Sequence, residues 1–472
     1  MAGSKRPDTS NVLTGETKKK LDAVFQPIAL TDDVIKRIMA VYQEQMRLAN
    51  STDEKVRKTS DHLMMNTFIR ELLDGTEQGV YLGLDLGGTN FRVVVVKFTD
   101  GVADTKTKYY RLPDAVLSGL SAGVFDFIAE SIEDCLKLEG LSDSKEKIPL
   151  GFTFSFPSIQ ISLKKSTLVT WTKTFKCPDG VGEDSVAMLE AAIERKCPGL
   201  PVDIVVVMSD TVSTLMAGNY LDKRCRIGLI LGTGSNAAFV ENIEEIEKWT
   251  GDYQDPKHVI VNVECGSTGD NGCLDFCRSK YEKELDQHSN HPGSFTFEKS
   301  VAGLYLGELA RLVLVQLVQE GVLFGGKQVD LVERRWALTA SHITAIESDE
   351  GQTTTRTKKV LEEFGLDSIA TDKDVAIVRE VCDFMSRRAA HTIAAAMAVL
   401  VNHVGRPEVT IAIDGSLYER HPKYHDSMME IFEKYSPNTK VTLILAKDGS
   451  GQGGAFAAVS ALKQNAKGIR CA

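Results

Sequence analysis

The sequence predicts an α/β protein whose ligand sits in a crevice between two lobes. Three observations predict it. Apolar, β-branched runs of strand length alternate with stretches of helical periodicity over most of the 472 residues. Glycine, serine and threonine cluster at the ends of several of those runs, where open α/β sheets place their ligand sites. One device also occurs twice, GLDLGGTN from Gly83 and GLILGTGSN from Gly228, about 145 residues apart. Repetition at that distance suggests a duplicated lobe.

The elements follow in order. Residues 1–24 are polar, carry five lysines or arginines and read as a mobile tail; they lack the apolar core of a signal peptide, and Ala2 after Met1 argues against myristoylation. In LTDDVIKRIMAVYQEQMRLAN, Thr31 or Asp32 can cap a helix with an apolar stripe at Val34, Ile35, Ile38, Met39, Tyr42 and Met46, which reads as packing. YLGLDLGGTNFRVVVV places a carboxylate, Asp85, at a strand tip before a glycine turn. The β-branched Val93–Val96 after it favour a second strand over a helix, so the turn is a hairpin rather than a dinucleotide or Walker loop. An ordinary hairpin with a solvated aspartate explains that stretch alone equally well. A helix is expected around Val124–Lys137, strands at KIPLGFTFSFP, IVVVMSD and RIGLILGTGSNAAFV, and helix over about 297–325. The segment 345–373 reads as surface helix and loop, and 374–403 as helix. Strand VTIAIDGSLY, a helix, strand VTLILAKDGS and an Ala-rich helix complete the order. The final glycine cluster enters that helix, whose N-terminus offers N–H groups to an anion.

Composition narrows the class. The chain is 43% hydrophobic and 25% charged, with net charge −10 and a pI of about 5.5. That disfavours a general role on nucleic acid without excluding a nucleotide. No run approaches the roughly 20 apolar residues that span a bilayer. Nine cysteines with no CxxC pair or Cys/His cluster argue against a zinc site and read as reduced cytosolic thiols, so a cytoplasmic location is expected. Cys273 and Cys277 would face the same way on a helix.

Four turns, DLGGTN, LGTGSN, IDGSLY and DGSGQGG, each supply backbone donors and a Ser or Thr hydroxyl; together they point to a polyphosphate. Asp85 and Asp414 are then candidate partners of Mg²⁺, which takes one or two carboxylates and keeps waters. A second set, Ser155, Thr172, Lys173, Ser209, Asp210, Asn236, Glu264 and Glu298, offers the mixed donors and acceptors that a polyhydroxylated ligand needs, although each taken singly also suits a surface or structural role.

The motifs LDLGGTNFRV, LGFTFSFP, TWTK, SDTVSTLMAG, LGTGSN, FEK…YLGEL, IDGSLY and DGSGQGG, in this order from about residue 25 to 465, resemble the hexokinases of animals and fungi in their single-unit form. The resemblance implies two ribonuclease-H-like lobes of the actin, Hsp70 and sugar-kinase type. It implies a tail at 1–24, an N-terminal helical region at 25–79 on the large lobe, a small lobe at 80–211 rejoined by the helix 450–466, and a large lobe at 212–449. It implies ATP and Mg²⁺ as cofactors and transfer to the 6-hydroxyl of a hexose, glucose first, as at the start of glycolysis. Asp210 would be the general base, with Lys173 beside the reacting oxygen. Ser155, Thr172, Lys173, Ser209, Asn236, Glu264 and Glu298 would hold the sugar. Asp85, Gly88, Thr89, Asn90 and Arg92 would line the phosphates from one lobe, and Thr233, Asp414, Gly415, Ser416 and Ser450 from the other, with Asp85 facing the metal directly or through water. A monomer without nucleic-acid partner or membrane insertion is expected. The chain departs from the family at Ser209, where Asn is usual, at Cys265, usually aromatic, at Phe295 and at Lys447. These departures leave a second reading open: a sugar-binding regulator with weak catalysis.

Overall fold

The structure, a computed structural model, describes residues 6–9, 11–88 and 90–469. Thirteen strands run in chain order: β1 (Met65–Asn66), β2 (Gly79–Leu86), β3 (Asn90–Thr99), β4 (Val102–Arg111), β5 (Ile148–Phe154), β6 (Ser158–Ser162), β7 (Lys165–Leu168), β8 (Val202–Met208), β9 (Cys225–Leu231), β10 (Ser235–Asn242), β11 (His258–Asn262), β12 (Glu408–Asp414) and β13 (Lys440–Leu445). Two sheets carry most of them, in the orders β4-β3-β2-β5-β8 and β1-β11-β10-β9-β12-β13, and β6 with β7 forms a separate hairpin.

The two sheets share one plan. In each, three strands form an antiparallel meander, β2-β3-β4 and β9-β10-β11, and two further strands add in parallel, β5-β8 and β12-β13. The two copies of the repeated sequence are the first hairpin of each meander. The valine run of β3 is buried on both faces: Val93 and Val95 enter the core under the helix Ser121–Leu138, while Val94 and Val96 enter a core shared between the sheets.

Two helices fill the space between the sheets, and they are exchanged. The helix Asp210–Leu221 follows β8 of the five-stranded sheet but packs on β9 and β12 of the six-stranded one. The helix Gly449–Ala466 follows β13 of the six-stranded sheet but packs on β2 and β5 of the other. The two helices also pack on each other. Glycine allows this. A Cβ on Gly228 would stand 2.4 Å from Thr211 O, and one on Gly453 would stand 1.8 Å from Ser213 O, both inside the backbone of a neighbouring element.

The helix Asp32–Asn50 is capped by Thr31 as expected and packs Ile35, Ile38, Tyr42 and Met46 into the core of the six-stranded sheet. Three expectations need correction. The described part of residues 1–24 is not a free tail: Gly15–Phe25 is helical, and Leu13, Leu21 and Val24 are buried because apolar residues recur among its lysines. The region 297–325 is two helices, Thr296–Val301 and Gly303–Gln319, broken where Ala302 is extended. The segment 345–373 buries Glu347, Asp349 and Thr357, with the Asp349 carboxylate accepting from Thr357 N and Oγ1.

Candidate active site

The turns that end the strands meet at the N-terminus of the helix Gly449–Ala466. Ser450 is the meeting point: its N–H donates to Asp414 Oδ2 (3.1 Å) and its hydroxyl to Asp85 Oδ2 (2.9 Å). Asp85 and Arg92 stand opposite each other in the β2–β3 ladder, and Arg92 Nε donates to Asp85 Oδ2 at 2.8 Å. The other end of the guanidinium pairs with Asp448. The described contacts of Asp85 all fall on Oδ2. Gly415, at φ 136°, lies against the Gly232 turn, so Gly415 and Ser416 adjoin Gly232 and Thr233. Gly88 is part-exposed in the β2–β3 turn; Thr89 and the side chain of Asn90 lie outside the described residues. All four turns are therefore neighbours. Burial pushes the Asp414 carboxyl up, and Ser450 and Arg92 oppose this.

Beside the turns lies an acidic group. Asp210 opens the helix Asp210–Leu221, and its Oδ1 accepts from Thr211 N at 2.9 Å. Burial raises its pKa; Lys173 lowers it, and Asp85 raises it further. Lys173 is exposed, sits at φ 61° and donates from Nζ to Ser155 O (3.0 Å). The Ser155 hydroxyl is buried and lies against the Asp210 carboxylate, whose charged form it favours. Ser155 and Lys173 are brought together through that carbonyl; Thr172, next to Lys173, is half-buried.

Glu264 and Glu298 complete the group. Glu264 Oε1 accepts from Asn236 Nδ2 (2.9 Å) and Asn262 Nδ2 (2.7 Å), and burial pushes its pKa up to about 7. Glu298 Oε2 accepts from Ser235 N (3.0 Å); burial raises its pKa also, and Lys173 lowers it. Asp210 is close enough to act on both glutamates. Three carboxylates and one ammonium thus lie within electrostatic reach of one another, with amide and hydroxyl groups beside them. Such a site offers acceptors to several hydroxyls at once.

The four unusual residues are placed as follows. The Ser209 hydroxyl bonds Thr211 Oγ1 (2.7 Å). Cys265 is fully buried, with Sγ 4.0 Å from Asn236 Oδ1. Phe295, at φ 60°, precedes the helix bearing Glu298, and Lys447 pairs with Glu419. Cys273 and Cys277 are not on a helix: both lie in turns, where Sγ of Cys273 approaches Asp61 and that of Cys277 the Leu274 carbonyl. Sequence reasoning missed Asn262 and Asp448. Asn262 is the first residue of the NVE stretch and bonds both Asn236 and Glu264; Asp448 opens DGSGQGG.

Two family models described as hexokinase match the chain, over residues 20–220 and 226–460. A hexokinase from Schistosoma mansoni, solved in complex with glucose, is 34% identical with a TM-score of 0.85. That match covers 94% of this chain and 99% of the other. The chain belongs to the hexokinase family. Its two-lobed sugar-kinase fold is the one expected. A second solved hexokinase has a TM-score of 0.80 at 26% identity, covering 95% of this chain and 100% of its own. Mouse Hexokinase HKDC1 is 38% identical over 96% of this chain and 49% of its own length. Human Hexokinase-1 is 36% identical over 93% and 48%. The chain spans about half the length of the curated relatives it matches. Among the described residues no helix is long and apolar enough to cross a membrane.

Proposed function

We propose that this hexokinase-family chain transfers the terminal phosphoryl group of ATP to the 6-hydroxyl of a hexose. The observation that carries the reading is the facing of Asp210, Glu264 and Glu298 with Lys173, directly beside the Asp85–Ser450–Asp414 junction. Glu264, Glu298, Asn236 and Ser155 hold the ring hydroxyls; the Ser155 hydroxyl stands against Asp210, the proposed base. Thr172 and Ser209 lie on the same rim.

Asp210 takes the proton of the 6-hydroxyl. Its Oδ1 accepts from Thr211 N, which leaves lone pairs on the carboxylate for that proton. Lys173 favours the ionised form of that base and stabilises charge on the reacting oxygen. Arg92, Gly88, Thr89, Asn90, Thr233, Gly415, Ser416 and Ser450 supply donors to the phosphates, because transfer of this kind rests on positioning and charge stabilisation. Mg²⁺ suits the same junction. Asp85 and Asp414 are hard oxygen donors, Oδ1 of Asp85 takes no part in the described contacts, and a cation beside Asp414 would offset the burial of its carboxylate. When bound, the ion neutralises phosphate charge.

Glucose is the first hexose to test, since the Schistosoma mansoni relative was solved with it. A coupled assay of ADP release with glucose, mannose and fructose should show sugar-dependent turnover; ADP release that ignores all three sugars rejects the reading. The second reading, a sugar-binding regulator, is favoured by the engagement of the Ser209 hydroxyl with Thr211. It requires sugar binding without ADP release in the same assay. We further propose a cytoplasmic monomer, with the boundaries between lobes near residues 80, 211 and 450.

A further inference from the structure

Behind the hexose side of the cleft lies a polar cluster that the reaction above does not use. Glu264 and Glu298 are linked by the loop 265–271, and that loop is braced twice. The Asp61 carboxylate accepts from Gly269 N (2.8 Å) and Asn271 N (3.3 Å), and its carbonyl accepts from the Ser267 hydroxyl (2.7 Å). The Asp270 carboxylate accepts from Phe295 N (3.0 Å) and Thr296 N (2.9 Å), at the start of the helix that carries Glu298.

Between the braces, the Thr268 hydroxyl donates to Cys265 O (2.7 Å) and therefore accepts from His62 Nε2 (2.8 Å). That assignment puts the imidazole proton on Nε2. Nδ1 of His62 has no hydrogen-bond partner among the described residues; the ring of Tyr42 stands edge-on to His62 with centroids 4.5 Å apart, and its hydroxyl lies against the Cys265 thiol. Tyr42, His62 and Thr268 are only 1–2% exposed. Polar groups buried so completely persist where their hydrogen bonds fix something.

What they fix is the peptide that follows Cys265, one residue on from Glu264. Glu264 holds φ 51°, in the left-handed region, which a non-glycine residue keeps only when its surroundings impose it. The next carbonyl, Cys265 O, accepts from Thr268 twice, from its hydroxyl (2.7 Å) and from its backbone N–H (3.1 Å); the one after, Gly266 O, accepts from Glu298 N (3.0 Å). The backbone direction of Glu264 is thus set from behind by a chain reaching to the N-terminal segment.

We propose that His62 and Thr268 are positioning residues for hexose recognition, acting through the Cys265 carbonyl to hold Glu264 in its left-handed conformation. The inference rests on the functional reading above, in which Glu264 binds the sugar. Neither residue touches substrate. Their loss moves hexose affinity and leaves the nucleotide end alone.

The test is Thr268→Val against Thr268→Ser. Glucose binding is read from the fluorescence of Trp171, beside Lys173, and KM is measured for glucose and for ATP. Thr268→Val should weaken glucose binding and raise its KM roughly 2- to 12-fold, the worth of one hydrogen bond. KM for ATP should stay unchanged, and Thr268→Ser should restore the glucose values. His62→Leu should give the same loss and add nothing to Thr268→Val; it also decides the matter should the valine variant fail to fold by circular dichroism. A folded variant lacking the hydroxyl that binds glucose as tightly as the parent overturns the inference, as does a serine variant no better than valine. A parent protein that binds no hexose instead overturns the functional reading beneath it.

Discussion

Asp210 is held in a balance: burial favours its neutral form and Lys173 its charged one. Replacing it with alanine should lower kcat by at least about 10²-fold, the low end for a lost general base, while glucose binding persists in weakened form. Stopped-flow or coupled kinetics beside a binding isotherm separates the two effects; near-parental turnover would remove Asp210 from the role. One residue away, Ser209 spends its hydroxyl on Thr211. Asparagine there has longer reach and both a donor and an acceptor. Ser209→Asn should therefore lower KM for glucose by roughly 2- to 150-fold, the worth of one or two neutral hydrogen bonds, with a smaller change in kcat. An equal or higher KM would show that the pocket has closed around serine. Glu264 gives a pH signature. Its carboxyl is raised from the ordinary range to about 7 by burial, so the folded chain binds a proton there that the unfolded chain has lost. Stability contributed by this group is present below about pH 4.5 and is lost as pH rises toward 7. The melting temperature of the sugar-free protein should fall over that interval, and less so in Glu264→Gln. A fall of the same size in the variant would assign it to other groups. At this scale the sequence is readable where chemistry demands a particular side chain, as at Asp85, Asp210 and the two glutamates. Asp448 and His62 were not readable, because their value lies in a partner far away in sequence.

The glycines carry the lesson at the scale of elements. Read in sequence, the turn glycines of DLGGTN and LGTGSN suit phosphate, and the glycine earlier in each copy is given no role. In the structure the first glycine of each copy, Gly83 or Gly228, instead lies under a helix: an added Cβ would meet Gly451 O at 2.3 Å or Thr211 O at 2.4 Å. Backbone pressed on backbone and backbone pressed on phosphate ask for the same residue, so the letter alone does not separate them. Gly228→Ala should cost about 1–3 kcal/mol of stability through overpacking and displace the turn that begins with Asp210. Thermal melts and kcat should therefore fall together; a variant with parental stability and turnover would show that the contact yields. The strands β2, β3, β5, β8, β9, β10, β12 and β13 were legible because apolar, mostly β-branched runs mark them, whereas β1, β4, β6, β7 and β11 were not assigned. The helix Asp210–Leu221 was not, since nine of its residues are buried and it has no polar face to give it a period. The break at Ala302 left no proline or glycine signal before it.

For the molecule as a whole, the groups proposed for sugar and phosphate come from both sheets and from the two helices between them. A ligand that bridges them should draw the lobes together and exclude water as a rival acceptor. Glucose alone should slow proteolysis of the chain, and ATP hydrolysis without sugar should be slow. Rapid sugar-independent hydrolysis, or cleavage unaffected by glucose, would contradict this closure. The two-lobed plan was visible in the repeat, but the exchange of helices between lobes was not, because a helix does not record in its sequence which sheet it will cover. That exchange has a consequence for how the chain is made. All five strands of the first large sheet lie between residues 79 and 208, whereas the helix that covers its inner face spans Gly449–Ala466. On the ribosome, this sheet is complete once residue 208 has emerged, and its inner apolar face waits bare until Gly449–Ala466 follows. Exposed strands of that kind are what chaperones hold. Chaperone binding to the nascent protein is therefore the expected outcome over the stretch of synthesis that separates β8 from its distant cover.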